Sequence, residues 1–168
     1  MTLAALYLSN ETRRWHANPV MARTAQTIAD HQCRAAQLLL ALHPAASPAL
    51  VYTVLHHDVG EALAGDLPQP FKAANPAVAA SHAEVEGQLC TRILQRSLPY
   101  LTSQEADWAK LVDVLEAALF TLFHALPEYY RPGSGWLATE VEILHRAALL
   151  GCEGAVRALI DDISGGVF

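Results

Sequence analysis

The sequence predicts an all-α protein, a bundle of about six helices. Three observations lead there. The chain is 52% hydrophobic and rich in Ala and Leu, both strong helix formers. Val, Ile and the aromatic residues do not fall into the alternating runs that strands require. Helix-start signals recur along the chain, at Thr27, Ser47-Pro48, Asn75-Pro76 and Thr102-Ser103-Gln104-Glu105.

Thr2 to Ser9 reads as a short first helix. Asn10 to Gln26 is polar and irregular, with Arg13-Arg14-Trp15-His16 and Asn18-Pro19 inside it. Thr27 is the N-cap of a helix from Ile28 to Leu42, stopped before Pro44. Ile28, Ala35, Leu38, Leu39 and Leu42 are its apolar positions, and His31 falls on the same face. Ser47 followed by Pro48 is a cap with an N1 proline. It opens a helix expected to carry His57-Asp58 and to end at Gly65 and Pro68. Asn75-Pro76 starts a helix to about Ser97, with Val78, Val85, Leu89 and Ile93 expected inside. Thr102 to Glu105 is a capping box for a helix running to about Ala125. Its stripe is Trp108, Val112, Leu115, Leu119 and Leu122, and Asp113 flanks it. Pro127 and Pro132-Gly133-Ser134-Gly135 mark a long loop. Helices from about Leu137 to Leu150 and Glu153 to Ile163 close the chain, with Trp108 and Trp136 as core or interface anchors.

At 168 residues with no linker or repeat, one domain is expected over 1–168. The net charge of −6 and the lack of a basic run argue against duplex DNA or RNA as a partner. Cys33, Cys90 and Cys152 lack zinc-finger spacing and read as buried apolar residues in a reducing cytoplasm. The apolar run Leu3 to Leu8 is too short for a signal peptide, and no stretch approaches the roughly 20 apolar residues of a membrane span. The expected setting is therefore the cytoplasm, with no membrane partner.

One stretch, His56 to Lys72, concentrates the chemistry. It holds two histidines, three acids and a lysine, directly after the apolar run Ala49 to Leu55. A buried helix does not end in His-Asp for packing reasons, since an unpaired charge is costly to bury. A lone His31 on an apolar face is more often a core residue, and a lone Asp113 more often a solvated flank. Together, His31, His57-Asp58 and Asp113 lie on successive inner surfaces of one bundle. Two imidazoles and two carboxylates suit a divalent ion such as Zn, Co, Mn, Fe or Mg, with positions left open for water.

This H…HD…D pattern resembles the HD-domain metal-dependent phosphohydrolases. Only His57 of the His56-His57 pair is followed by Asp, which leaves His56 to packing or support. Arg14-Trp15, Ala29-Asp30-His31 and the block His57-Asp58-x-x-Glu61-x-x-x-Gly65-Asp66-Leu67-Pro68-x-Pro70-x-Lys72 resemble the bacterial 5'-deoxynucleotidases. They equally resemble compact phage triphosphohydrolases acting on dATP. The likeness covers residues 13 to about 122 and departs in having Asp30 where those families carry Glu. The spacing from Arg14 to His31 is also longer, so either Arg13 or Arg14 is the expected phosphate ligand.

The resemblance implies an HD bundle with a divalent metal on His31, His57, Asp58 and Asp113. Glu61, at i+3 from Asp58, would orient or deprotonate the attacking water. Asp66 would hold a second metal with Glu61 or contact the leaving group. Arg14, Lys72 and Lys110 would bind phosphate oxygens, and Pro70 would border the substrate. Trp15 would pack against the sugar at C2' and exclude a hydroxyl. The implied reaction is hydrolysis of the 5'-phosphoester of a 2'-deoxynucleotide. The expectation leans to a triphosphate, dATP by resemblance, in a bacterial or phage protein. The alternatives are a 5'-deoxynucleotidase acting on monophosphates, and a non-catalytic nucleotide-binding helical protein. A homo-oligomer is expected from the hydrophobic content.

Overall fold

Each cap read from the sequence starts a helix in the computed structural model, which describes residues 3–124, 129–133 and 135–165. The described residues form nine α-helices: α1 (Leu3–Ser9), α2 (Ile28–Leu42), α3 (Pro48–Val54), α4 (Glu61–Ala64), α5 (Gln69–Ala74), α6 (Pro76–Leu94), α7 (Ser103–His124), α8 (Trp136–Leu149) and α9 (Glu153–Gly165). A 3-10 helix spans Met21–Thr24, and no strand occurs among the described residues. The protein is thus all-α, with more helices than the six expected. The expected positions at Thr2, Ala125, Pro127 and Ser134 lie outside the described residues.

Thr27, Ser47 and Thr102 do the work assigned to them, whereas Asn75 makes no capping bond and its amide donates to Phe71 O at 3.0 Å. Thr27 Oγ1 accepts the Asp30 N–H at 3.2 Å, and the Asp30 carboxylate accepts the Thr27 N–H at 3.1 Å. Ser47 Oγ accepts the Leu50 N–H at 3.1 Å and donates to Glu105 Oε1 at 2.5 Å, tying the start of α3 to α7. Thr102 and Glu105 form the second capping box.

Three expectations need correction. The helix from Pro48 does not carry His57-Asp58. It stops at Val54, and Leu55 to Gly60 form a run of tight turns before α4. Short-range bonds hold the turns, Val59 N–H to His56 O at 3.3 Å and Glu61 N–H to Asp58 O at 2.9 Å. The His56 and His57 rings break the helix by taking the carbonyls of Tyr52 (2.7 Å) and Val54 (2.9 Å). Helix α6 ends at Leu94 and buries Cys90 and Ile93, while Val78 and Val85 are exposed. Of the expected stripe Ile93 is buried, and Cys90 joins it in place of Val78 and Val85 because the turn and α1 sit against that end of the helix in a small cluster with Val59 and Leu6. Of the cysteines, Cys90 is buried, Cys152 half-buried and Cys33 exposed.

The main core lies between α2, α3, α7, α8 and α9, where Ala35, Leu39, Leu50, Leu111, Leu115, Ile143 and Val156 are fully buried. All five stripe residues of α7 are buried. Asp113 flanks that stripe, so it stands at the seam between the main core and the α4–α6 unit. Among the described residues no helix is long and apolar enough to cross a membrane.

Candidate metal and phosphate site

The seam gathers the chemistry. α2 contributes His31, the turn after α3 contributes His57 and Asp58, and α7 contributes Asp113. His31 Nε2 lies 3.6 Å from Asp58 Oδ2 and 3.3 Å from Asp113 Oδ1. His57 Nε2 lies 3.3 Å from Asp58 Oδ1 and 3.7 Å from Asp113 Oδ1. Donor atoms held about 2.0–2.2 Å from one ion stand roughly 3 to 3.5 Å from each other, so these separations suit a shared metal.

The side chains are also prepared for it. His57 Nδ1–H donates to Val54 O, and His31 Nδ1 is bonded to Glu116 Oε2. Each ring therefore turns Nε2 toward the cluster, where a bound metal would take its lone pair. Both Nε2 atoms, Asp58 Oδ2 and Arg14 Nη1 are buried without a hydrogen-bond partner. Orphaned polar atoms converging on one point are costly unless a ligand satisfies them. The residues fit a divalent cation.

The turn is braced from α2. With its amide oriented to satisfy both neighbours, Gln32 donates to Leu55 O (2.9 Å) and accepts the Asp58 N–H (3.1 Å). Gly60 brings the turn onto α6, because any Cβ there would stand 2.3 Å from Glu86 O. Its φ of −63° suits any residue, so close approach alone demands glycine.

Charge is densely packed. Burial works against the Arg14 charge, but Asp58, Asp113, Glu61 and Glu116 outweigh it and hold its pKa above the usual value. Burial likewise opposes the His57 cation, yet Asp58 and Asp113 push its pKa up to about 9. Burial opposes the Asp113 carboxylate, yet His31, His57 and Lys110 keep it well below the usual range. Glu61 is pushed up to about 9 by burial and by the nearby Asp58 and Asp66 carboxylates.

The other expected residues divide. Arg14, not Arg13, reaches the site. Its guanidinium lies 3.9 Å from both Asp58 and Glu116, whereas Arg13 is exposed. Trp15 stacks beside Phe120 at 6.5 Å and donates its ring N–H to Gln26 Oε1 at 2.5 Å. Its backbone is left-handed (φ 63°), which turns the ring back over Arg14 at 5.6 Å. Glu61 opens α4, 7% exposed, beside Asp58. Asp66 pairs with Lys72 at 3.5 Å, and Lys110 pairs with Asp113 at 2.9 Å. Pro70 is exposed in the first turn of α5. His56 stacks on Tyr52 and takes no part in the cluster of donors.

Sequence reading missed four residues. Gln26, Glu116 and Gln32 are buried polar groups, and Glu86 reaches the turn from α6. Gln26 Nε2 donates to Glu116 Oε1 at 2.8 Å, so one buried chain links Trp15, Gln26, Glu116 and His31. Glu116 had a signal. It follows Val112 by four residues and so falls on the buried stripe of α7. Gln26 and Glu86 had none, because their partners are distant in sequence.

Residues 8–112 match the model of a family described as 5'-deoxynucleotidase YfbR-like, a span that ends one residue before Asp113. No curated protein and no solved structure matches the chain.

Proposed function

The chain belongs to the YfbR-like 5'-deoxynucleotidase family of HD-domain phosphohydrolases, and on that premise we propose that it hydrolyses 2'-deoxynucleoside 5'-monophosphates to deoxynucleoside and orthophosphate. The observation that carries the reading is the meeting of orphaned donor atoms from His31, His57 and Asp58 beside Asp113, most of them inside the matched span. His31, His57, Asp58 and Asp113 would hold a divalent ion there, which would supply Lewis acidity and lower the pKa of a bound water toward about 7.

The protein's own groups do the rest. Arg14 is the cation that faces the site, and it takes the phosphate oxygens. Glu61 orients the attacking water and accepts its proton. Burial and the neighbouring acids hold a proton on Glu61 in the metal-free protein, and a cation bound beside Asp58 would displace it and leave the carboxylate free to act as the base. Trp15, fixed by Gln26 and Phe120, offers a flat ring next to Arg14 where the sugar sits. Asp66 and Lys72 form a pair at the rim, suited to the leaving 5'-oxygen.

The same pairing favours a monophosphate over the triphosphate first expected. Lys72 and Lys110 are engaged by Asp66 and Asp113 at 3.5 and 2.9 Å, whereas Arg14 meets Asp58 and Glu116 only at 3.9 Å and keeps Nη1 unbonded, so of the three expected cations Arg14 is the one with a donor left for a phosphate. A triphosphate brings more negative charge to a site already rich in acids. Neither dATP nor a phage source draws support from the family match. A single domain over 1–168, cytoplasmic action and a homo-oligomer complete the proposal, the last to be read by light scattering.

Phosphorus NMR of incubations with dAMP and dATP, each with Mn, Co or Mg, tests the reading. Orthophosphate from dAMP is expected. Tripolyphosphate from dATP, without turnover of dAMP, restores the triphosphohydrolase. Tight nucleotide binding with no turnover under any metal supports the non-catalytic alternative.

A further inference from the structure

We propose that Gln26 is a positioning residue that sets the discrimination against ribonucleotides, by fixing the edge of the Trp15 ring and tying it to the acid behind His31. This role rests on the deoxynucleotidase reading above. Gln26 lies between the 3-10 helix and α2 and is 2% exposed. A buried amide is costly unless both of its ends are bonded. Here both are bonded, and to groups of the site. Gln26 Oε1 accepts the Trp15 ring N–H at 2.5 Å, and Gln26 Nε2 donates to Glu116 Oε1 at 2.8 Å. The Gln26 backbone carbonyl accepts the Arg14 N–H at 2.9 Å. One side chain and its carbonyl thus meet the sugar platform, the backbone of the phosphate ligand and the acid behind a metal ligand.

The chain of bonds has a direction. An indole N–H only donates and a carboxylate only accepts, so the Gln26 amide can sit in one orientation alone. Glu116 then offers its other oxygen, Oε2, to His31 Nδ1. A glutamine is the residue that fits between these neighbours, since it presents an acceptor to the ring and a donor to the acid.

The other contacts of Trp15 leave its ring some freedom. Phe120 stacks with it at 6.5 Å between centroids, and Trp136 meets it tilted at 6.0 Å. Ring contacts of this kind tolerate a range of offsets and angles. A hydrogen bond weakens steeply as it bends, so it fixes the ring edge. Rejecting one hydroxyl at C2' needs such a fix, because a functional group must be held to within about 0.5 Å. The Trp15 backbone needs support as well. Its φ of 63° is uncommon for a bulky residue and persists where surrounding bonds impose it. Arg14 N–H on Gln26 O precedes it, and Asn18 N–H on Trp15 O follows at 2.9 Å. Arg13 and Thr27 pair across the same segment. Gln26 therefore supports both the backbone and the ring of Trp15.

The test compares Gln26→Met, Gln26→Glu and the exchange Gln26→Glu/Glu116→Gln. Gln26→Met keeps the side-chain length and removes both bonds. Gln26→Glu keeps the acceptor for the ring but sets one carboxylate against another. In the exchange the new carboxylate accepts from the ring and from the new amide, whose oxygen accepts from His31, so every bond regains a partner. Two deoxy-to-ribo ratios are measured: kcat/KM for dAMP against AMP, and equilibrium binding of deoxyadenosine against adenosine. The indole N–H resonance of Trp15 in nitrogen-15-labelled protein reports the bond, and circular dichroism the fold. Gln26→Met and Gln26→Glu are each expected to lower both ratios about tenfold and to move the resonance. The exchange is expected to recover the ratios and the resonance. A wild-type ratio in folded Gln26→Met overturns the role of Gln26, as does an exchange no more selective than Gln26→Glu alone. A wild type indifferent to the sugar, or loss of the fold in all three variants, overturns it too. If dAMP is not turned over, the nucleotidase reading fails, and the nucleoside binding ratio still decides the role of Gln26.

Discussion

At the scale of single residues, the site works by arranging which atom of each side chain is left over. His57 spends Nδ1 on Val54 O and His31 spends Nδ1 on Glu116, so each has Nε2 to offer. Replacing His57 or Asp58 by Ala is therefore expected to lower activity by several orders of magnitude and reduce bound metal, with helical content kept. Full activity in either variant refutes the ligand assignment. Glu116 acts one step back. Glu116→Gln removes the charge behind His31 and should weaken metal binding about 10- to 100-fold, measured by competition with a chelating dye. Trp15 belongs to the sugar. Trp15→Ala is expected to lower the deoxy-to-ribo ratio of kcat/KM about tenfold or more, while deoxynucleotide turnover falls less. An unchanged ratio from a deoxy-selective wild type returns Trp15 to packing against Phe120 and Trp136.

At the scale of elements, the decisive feature is where α3 stops. Had the helix continued through Gly60, His57 and Asp58 would project about 100° apart around one axis. The turn instead aims both at the same point, and Gln32 and Gly60 hold it against α2 and α6. Gly60→Ala tests this brace. The new methyl group meets the Glu86 carbonyl, a backbone atom that cannot rotate away, so α6 must shift. A loss of about 1–3 kcal/mol in chemical denaturation is expected, as for other overpacked sites. A loss under about 0.5 kcal/mol, the range of ordinary surface changes, would mean that the turn and α6 are not in firm contact.

At the scale of the whole molecule, the site is a concentration of like charge that the fold must offset. Folded metal-free protein holds a proton on His57 up to about pH 9, against 6.5 for a free side chain. It holds one on Glu61 up to about 9, against 4.5. Across 6.5 to 9 the native state therefore binds more protons than the unfolded chain. Stability must fall as pH rises through that window, by linkage. Asp58 and Asp113 are shifted downward, so their effect lies at acid pH. Melting in a chelator should show Tm decreasing from pH 6.5 to 9. Mn²⁺ or Co²⁺ should raise Tm most at the alkaline end, where ions no longer compete with those protons. At about 100 times the dissociation constant the gain is roughly 2.7 kcal/mol. A flat Tm profile in chelator, or no response to any divalent ion, contradicts this account.

Periodicity and caps are local properties, and from the sequence alone they determined where the longer helices begin. Thr27, Ser47 and the Thr102–Glu105 box start α2, α3 and α7 because each cap bonds within three residues of itself. The His31, His57-Asp58 and Asp113 pattern was legible too, since its members are metal-ligand types that helix packing alone does not call for. The end of α3 was not legible, because the apolar run through Leu55 suits a helix equally well. Packing against α6 at Gly60 and the bonds from Gln32 stabilise the turn instead. The same holds for the face of α6. Ile93 was legible, but contact with Val59 and Leu6 buries Cys90 beside it and leaves Val78 and Val85 exposed. Gln26, Glu86 and Glu116 acquire their roles only through partners on other helices. Tertiary structure alone decided them, because a buried polar group takes its meaning from whatever neighbour completes its hydrogen bonds or shares its ion.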